Sequence, residues 1–272
     1  MTLEDTKTVE KTDVAEQKFD ASRALRTYFD RGRINLPQGH VAVFRHDDVE
    51  IMFNVVNPLD VVQRAHSKSA FYEREDLDVI RQHFPAGGVF ADIGANVGNH
   101  SVFAGRILGA SSIIPFEPNP VAQEIYISNM ILNRLMDKLD FSFFTYGLSD
   151  QMDENLAMRW NPNNLGGGRI VRNAGKDPDG VSVIRGDDAL LNKQVDFMKI
   201  DVEGLEMEVL AGLAQTVAAR RPTMFIEIDN RHADAFLAWV EANDYTIEAR
   251  IRHYAVNENF LVRAKEKAGA SR

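Results

Sequence analysis

The chain has 272 residues, of which 44% are hydrophobic, and a formal net charge of −9 at pH 7. This hydrophobic share is ordinary for a globular protein with a sizeable core. The acidic balance argues against nucleic acid as the main partner, because proteins that bind its phosphates carry clustered Lys and Arg. The absence of cysteine excludes disulfides, thiolate nucleophiles and cysteine-ligated metals, and fits a cytoplasmic protein.

Both ends of the chain are polar. Residues 1–23 contain no apolar run that could serve as a signal peptide or a membrane span. Residues 264–272 are also short of large apolar side chains. We expect both segments to be disordered tails.

A small entry module is predicted over residues 24–85. Two β-rich runs, VAVFR and VEIMFNVV, are separated by the polar triplet HDD, which is typical of a hairpin. The following stretch, FYEREDLDVIRQHF, has apolar residues at helical spacing and is ended by Pro85. The module therefore combines a hairpin and a helix.

Short apolar strands alternate with amphipathic helices over residues 86–263. This alternation predicts an α/β fold with a parallel sheet covered on both faces. Asn119 followed by Pro120 marks one helix start, because Asn caps helices and Pro suits the first helical position. The last two strands, YTIEARI and ENFLVRA, are predicted to form an antiparallel pair at the edge.

One insertion, residues 151–188, interrupts this alternation. It is rich in Asn, Gly, Pro and Asp and contains only short apolar runs. A long polar insertion in a compact domain can be a lid or binding loop, and it can equally be a solvated hairpin. Both interpretations remain open from the sequence.

The loop DIGANVGNHS follows the first strand of the alternating region and resembles a dinucleotide-binding loop only in part. A G-x-G-x-x-G fingerprint needs glycine where the pyrophosphate touches the backbone. Asn96 and Asn99 occupy the second and third glycine positions. Their side chains disfavour a nicotinamide dinucleotide but can hydrogen-bond a cofactor without phosphate.

S-adenosylmethionine is a cofactor of this kind, with a ribose and an amino-acid tail. Gly94, Ala95 and Gly98 are small enough to let a carboxylate approach backbone N–H groups. Asp92 can hold the amino group or a water beside it. Glu117, at the end of the next strand, is placed to bind the two ribose hydroxyls, a role that an acid at this strand end also plays for NAD.

Two further residues are candidates for the cofactor site. Ser149 and Asp150 end the predicted third strand, LDFSFFTYGLSD. This position places them to approach an adenine ring, and a simple turn is the alternative interpretation.

The strand VDFMKID carries the candidate catalytic acids. Its two-residue alternation places Lys199 and Asp201 on one face, with Glu203 just beyond. Asp201 is the first candidate to face a transferring methyl group, and Glu203 is the second, as a general base or as a ligand for the acceptor. Because a buried lysine is costly unless paired, we expect Lys199 to meet Asp201 or Glu227.

The histidines give no indication of a metal site. The chain has seven of them, and none shows the spacing of paired metal ligands, so we predict no bound metal. His100 directly follows the opening loop and could face the active site, although packing is the more common role for such a residue.

The motifs DIGANVGNHS, FEPNP, LSD and KIDVEGLEMEVLAGL, followed by FIEI, resemble in this order the FkbM family of S-adenosylmethionine-dependent methyltransferases. The resemblance covers about residues 75–230. It implies the class I methyltransferase fold, a Rossmann-like, mostly parallel sheet of seven strands. It also implies O-methylation of a hydroxyl on a sugar or polyketide-like natural product, so the expected partner is a small-molecule or glycan acceptor.

Two alternatives to an O-methyltransferase remain. One is an NAD- or nucleotide-sugar-binding enzyme on a similar sheet, which the two asparagines of the loop disfavour. The other is a non-catalytic, methyltransferase-like partner protein, which the intact acids Asp201 and Glu203 disfavour only weakly.

Overall fold

The computed structural model describes residues 19–178 and 180–266. The outer parts of both predicted tails, residues 1–18 and 267–272, lie outside the described residues. Among the described helices, none has both the length and the apolar character needed to span a bilayer.

An N-terminal module precedes the main sheet and begins earlier than the sequence predicts. Residues 21–23, expected in the tail, form the first turn of a helix because the Asp20 side chain accepts a hydrogen bond from Arg23 N and caps it. The predicted hairpin and the helix after it are present, and a short unpredicted helix lies between them. The elements are α1 Ala21–Arg31, β1 His40–His46, β2 Val49–Val55, α2 Val61–Ser67 and α3 Arg74–His83.

The remainder of the chain alternates between strands and helices, as its periodicity predicts. The last strand extends to Ala264, one residue into the segment predicted as a tail. In chain order the elements are β3 Val89–Ile93, α4 Asn99–Arg106, β4 Ser112–Phe116, α5 Pro120–Leu132, β5 Tyr146–Ser149, β6 Asp153–Asn161, β7 Asn164–Lys176, β8 Val181–Arg185, α6 Gly186–Leu190, β9 Phe197–Ile200, α7 Glu206–Gly212, α8 Ala214–Arg220, β10 Thr223–Asp229, α9 Ala233–Ala242, β11 Tyr245–Ile251 and β12 Asn257–Ala264.

The central sheet is mixed and has six strands in the order β11-β12-β10-β9-β3-β4. Strands β4, β3, β9 and β10 are parallel. Strands β11 and β12 form the predicted antiparallel pair at the edge. The fold is therefore Rossmann-like, with ligand sites expected beyond the carboxyl ends of the parallel strands.

Within residues 19–178 and 180–266, the expected seventh strand of this sheet is not formed. Beside β4, the described residues form a single bridge, between Ile113 and Leu139. Tight turns follow, in which Phe144 N donates to Phe141 O and Tyr146 N donates to Phe143 O. Because these turns end the extended run, the predicted third strand leaves the central sheet, and β5 pairs with β8 in a second sheet.

The second sheet contains most of the insertion, in the order β5-β8-β6-β7. Its hairpin, β6–β7, is fastened at the tip to the N-terminal module. Asp60 accepts hydrogen bonds from Leu165 N and from Gln63 N, both at 2.9 Å. Asn57 Nδ2 donates to Pro162 O at 2.7 Å. The hairpin is thus held against the module at its far end.

The N-terminal module shares its core with the main sheet. Adjacent residues of β3 and β9 face opposite sides, so Phe90 and Phe197 stack on one face at 5.7 Å while Ala91 and Met198 lie in the core of the other. Phe71 of the module belongs to the same buried cluster as Phe90. This shared core positions the module's polar residues at the edge of the sheet.

Asp60→Ala should loosen the hairpin tip. The substitution removes the acceptor for Leu165 N and the cap of α2, so we expect the free energy of unfolding to fall by about 1–3 kcal/mol. Amide exchange at Leu165 should accelerate when measured by hydrogen–deuterium exchange. Asp78→Ala, at an exposed position of the same module, should change neither quantity, and unchanged exchange at Leu165 in the Asp60 variant would contradict the fastening role.

Candidate functional site

A buried lysine in β9 organises the carboxyl edge of the sheet. The Nζ atom of Lys199 donates to Gly94 O at 2.7 Å and lies 3.3 Å from Asp201 Oδ2 and 3.9 Å from Asp92 Oδ1. The expected pairing of Lys199 with a carboxylate is confirmed. Burial opposes the charge on the lysine, but Asp201 and Asp92 outweigh it and raise the pKa of Lys199.

Gly94 allows the loop after β3 to lie close to the end of β9. Its φ is +79°, and a Cβ atom there would lie 1.8 Å from Asp201 O. A side chain at this position would force the backbone of the loop away from β9. The glycine therefore allows the two backbones to pack closely, and it also lines a cavity between this loop and the β6–β7 hairpin.

Asp92 lies beneath the loop rather than in a cavity. It is fully buried, and its Oδ2 accepts a hydrogen bond from Ser101 Oγ at 2.6 Å. Burial raises the pKa of Asp92, although Lys199 and Ser101 act in the opposite direction. The structure thus places this predicted cofactor residue as a support for Lys199 and the loop.

Glu117 is held by two backbone N–H groups. Its Oε2 accepts from Asn96 N and its Oε1 from Asn119 N, both at 2.7 Å. Each oxygen keeps a lone pair for a further hydrogen bond. Burial raises the pKa of Glu117 to about 7, although the two N–H groups favour the carboxylate.

Glu117 lines a cavity between the loop and the β6–β7 hairpin, here called the hairpin cavity. Glycine and apolar residues of β5 and the hairpin form its other walls. It encloses about 50 Å³, whereas ligand pockets commonly reach roughly 300 Å³ or more. The residues that line this cavity include Gly94, Asn96, Glu117, Gly147, Leu148, Met158, Leu165, Ile170, Asp201 and Glu203.

Asn99, predicted as a cofactor residue, does not line this cavity and contacts the N-terminal module instead. Its Oδ1 accepts from Tyr72 N at 3.0 Å and lies 3.1 Å from His66 Nε2, while its Nδ2 donates to Tyr72 O at 3.1 Å. Both the oxygen and the nitrogen of this amide thus form hydrogen bonds with the N-terminal module. Asn96 instead lines the cavity, and its buried Oδ1 has no hydrogen-bond partner among the described residues.

Ala95 and Gly98 shape the loop without lining the cavity. Ala95 N donates to Phe116 O at 3.0 Å. Gly98 has φ +87°, and a Cβ atom there would lie 2.6 Å from Met130 Cε. These two predicted cofactor residues therefore pack the loop against β4 and α5.

Ser149 and Asp150 are also displaced from their predicted role. Ser149 Oγ donates to Asp150 Oδ1 at 3.0 Å and accepts from Arg172 Nη2. Gly147 and Leu148 line the hairpin cavity at this level instead. The reason is the turn of β5 into the second sheet, which carries the end of the strand past the cavity.

A larger cavity of about 470 Å³, here called the acid cavity, adjoins the hairpin cavity. Four carboxylates line it, from Glu73, Asp201, Glu203 and Glu227, together with Arg169. Asp201 and Glu203 also line the hairpin cavity. The structure therefore brings both predicted catalytic acids to the junction of the two cavities.

The acids of this cavity have raised pKa values. Burial raises the pKa of Glu73 to about 8 and that of Glu203 to about 7, and the charge of Asp201 adds to both. Burial and then Asp201 also hold the pKa of Glu227 well above its usual range. Glu203 has a positive φ of 54° and pairs with Arg169 of the hairpin at 3.4 Å.

Glu73 is the site residue that sequence reasoning missed. It lies in the N-terminal module, outside every motif, and it immediately precedes α3 with a φ of +52°. Nothing in the sequence distinguishes Glu73 from the neighbouring acids Glu75 and Asp76. Only packing of the module against the sheet brings Glu73 to the acid cavity.

An open α/β sheet with a polar loop, a held carboxylate and two cavities at its carboxyl edge defines a Rossmann-like enzyme with its ligand site at that edge. A family model described as the methyltransferase FkbM domain matches residues 92–247. The chain therefore belongs to the FkbM methyltransferase family.

Solved structures of methyltransferases align with parts of the chain. Methyltransferase FkbM from Methylobacillus flagellatus KT covers 65% of this chain at 17% identity, with a TM-score of 0.44, and the chain spans 44% of that protein. M. jannaschii TYW2 in complex with AdoMet covers 85% of this chain at 11% identity, with a TM-score of 0.43, and the chain spans 88% of that protein. Ribosomal protein L11 methylase from Lactobacillus delbrueckii subsp. bulgaricus covers 71% of this chain at 12% identity, with a TM-score of 0.44, and the chain spans 78% of that protein. No curated protein matches the sequence.

Glu117→Gln should change how stability depends on pH. The pKa of Glu117 is about 7 in the fold, against 4.5 ordinarily. The protonated side chain therefore contributes fully to the free energy of unfolding below pH 4.5, and this contribution is lost as the pH rises through about 7. The free energy of unfolding, measured with urea, should therefore fall between about pH 5 and pH 8 by on the order of 2 kcal/mol more in the unsubstituted chain than in the variant.

Glu241→Gln is the matched control, because Glu241 is exposed on α9. Its pH dependence should follow that of the unsubstituted chain. Parallel pH curves for the Glu117 variant and this control would show that Glu117 keeps an ordinary pKa in the fold.

Proposed function

We propose that this methyltransferase uses S-adenosylmethionine to methylate a hydroxyl oxygen of a small-molecule or glycan acceptor. One observation carries the proposal: Glu117, with a free lone pair on each oxygen, lines a cavity that meets an acid-lined acceptor space at Asp201 and Glu203. The fold thus offers separate, adjoining places for a cofactor and an acceptor.

The residues of the hairpin cavity fit the cofactor. Glu117 can accept hydrogen bonds from two ribose hydroxyls, and the unpartnered Oδ1 of Asn96 can accept one from an ammonium group. Asn96 and the carboxylate of Glu117 together disfavour a pyrophosphate, which is anionic. When bound, S-adenosylmethionine supplies an electrophilic methyl group on a positively charged sulfur, which a wall of carboxylates favours electrostatically.

Asp201 and Glu203 provide the acid–base chemistry at the junction. A hydroxyl acceptor must lose its proton as the carbon–oxygen bond forms and the carbon–sulfur bond breaks. A carboxylate within hydrogen-bond reach accepts that proton. Holding the hydroxyl in line with the breaking bond supplies much of the remaining rate, and the narrow junction between the cavities supports this alignment.

The acid cavity favours an uncharged or cationic acceptor. Its four acidic side chains face only one basic residue of the lining, Arg169, so the cavity offers little positive charge to a phosphate-bearing molecule. The exposed side chains of Tyr254 and Val256 line its open side and can pack against an apolar portion of the acceptor. A hydroxylated sugar or polyketide-like natural product, as the FkbM resemblance implies, combines both properties.

Glu117→Gln should weaken binding of S-adenosylmethionine. The variant loses one acceptor for the ribose hydroxyls, so we expect the dissociation constant measured by calorimetry to rise about 5- to 150-fold. Glu241→Gln should bind like the unsubstituted chain. Unchanged affinity in the Glu117 variant would remove the ribose role, and binding of NAD in place of S-adenosylmethionine would contradict the proposal as a whole.

Glu203→Gln should lower turnover without lowering cofactor affinity. The variant keeps the size of the side chain but cannot accept a proton, so we expect kcat to fall by about 100-fold or more. Radiolabelled methyl transfer to a panel of sugars and hydroxylated natural products measures it. Arg169→Gln breaks the same ion pair but leaves the base, and should therefore retain most of kcat.

Equal losses in the Glu203 and Arg169 variants would show that the ion pair, rather than proton transfer, sets the rate. An unsubstituted chain that binds the cofactor but methylates no acceptor of the panel would favour the non-catalytic partner protein.

A further inference from the structure

Three carboxylates of the acid cavity converge on one point. Asp201 and Glu203 follow β9, and Glu227 lies in the adjacent parallel strand β10. One oxygen atom from each lies within 4.8 Å of the other two. Oxygen ligands of one Mg²⁺ or Ca²⁺ ion lie about 2.0–2.6 Å from the metal, so opposite ligands are separated by up to about twice that distance. The three oxygens fit around one ion.

Protein cations neutralise this cluster only in part. Asp201 pairs with Lys199 at 3.3 Å and Glu203 pairs with Arg169 at 3.4 Å. Glu227 forms no hydrogen bond or ion pair through its carboxylate with any residue in the described ranges. Glu73 adds a further carboxylate to the same wall. Acidic side chains therefore outnumber basic ones around this cavity.

Two buried polar atoms without partners lie on the inner side of the cluster. His100 and Asn259 are 8% and 4% exposed, and they line a small cavity whose polar lining also includes Glu73, Lys199, Asp201 and Glu227. Neither His100 Nε2 nor Asn259 Oδ1 has a hydrogen-bond partner in the part of the chain that the structure describes. Because buried polar atoms are almost always hydrogen-bonded, these atoms indicate a ligand in this cavity.

The small cavity has room for a single water. It encloses about 10 Å³, which is about the space that one water molecule needs. A water here can donate to His100 Nε2 and to Asn259 Oδ1 while its oxygen faces the carboxylates. This is the orientation of a water bound to a cation.

We propose that Asp201, Glu203 and Glu227 bind a hard divalent cation such as Mg²⁺, with a coordinated water held by His100 and Asn259. Ligands that are all oxygen select Mg²⁺, Mn²⁺ or Ca²⁺ over zinc. The outer side of the cation faces the acid cavity, where oxygen atoms of an acceptor complete its coordination. Each carboxylate has about four lone-pair directions, so coordination through one oxygen leaves lone pairs on Asp201 and Glu203 that can accept a hydrogen bond from an acceptor hydroxyl.

The site explains why the histidine pattern gave no signal. Histidine spacing predicts sites in which imidazole contacts the metal. Here the proposed ligands are carboxylates from two strand ends, and His100 contributes through a water. Such a set has no fixed sequence spacing, because β9 and β10 are brought together by the sheet.

Binding of Mn²⁺ to the full chain tests the proposal, with no cofactor or acceptor present. Electron paramagnetic resonance of free Mn²⁺ should show one saturable site per chain that Mg²⁺ displaces. Glu227→Gln should weaken Mn²⁺ binding by at least about tenfold, because it removes a ligand that has no other partner. Glu203→Gln is the second variant, and thermal unfolding verifies that each is folded.

Glu241→Gln is the control and should bind Mn²⁺ like the unsubstituted chain. Absence of a saturable Mn²⁺ site would overturn the proposal, and so would equal Mn²⁺ affinity in the Glu227, Glu203 and Glu241 variants, since the ion would then lie elsewhere. The measurement needs no methyl transfer, so its failure leaves the proposed methyltransferase reaction standing.

Discussion

The carboxyl edge of the sheet depends on the pairing of Lys199, a buried charged residue in the central strand β9, with its neighbours. A buried ammonium group is tolerated only when it is paired and hydrogen-bonded. Lys199 meets both needs by pairing with Asp201 and donating to the carbonyl of Gly94. It thereby joins the loop after β3 to the end of β9, and the close approach of these two backbones excludes any residue larger than glycine at position 94.

The N-terminal module is part of the site, although the family match begins only at residue 92. Its backbone at Tyr72 occupies the amide of Asn99, and its Glu73 completes the wall of the acid cavity. These contacts are precise because the module packs into the same buried aromatic cluster as the sheet. The module and the hairpin tip fastened to Asp60 therefore offer a structural means of selecting the acceptor without altering the cofactor loop.

The two proposals made for this protein rest on the same electrostatic feature. Acidic side chains outnumber basic groups around the acid cavity, and burial, followed by the charge of Asp201, raises the pKa values of Glu73 and Glu203. Such an arrangement stabilises positive charge placed among the carboxylates, whether on the sulfur of a cofactor or on a metal ion. Asp201 and Glu203 border both cavities.

The sequence by itself determined the elements and the principal acids. Apolar periodicity and helix caps such as Asn119 act over a few residues, so they predicted most strands and helices, and they placed Glu117, Asp201 and Glu203 at strand ends. Only the tertiary structure decided which side chains meet. It turned β5 out of the central sheet, committed Asn99 to the module and brought Glu73 and Glu227 together. These outcomes depend on packing between distant segments, which local patterns do not encode.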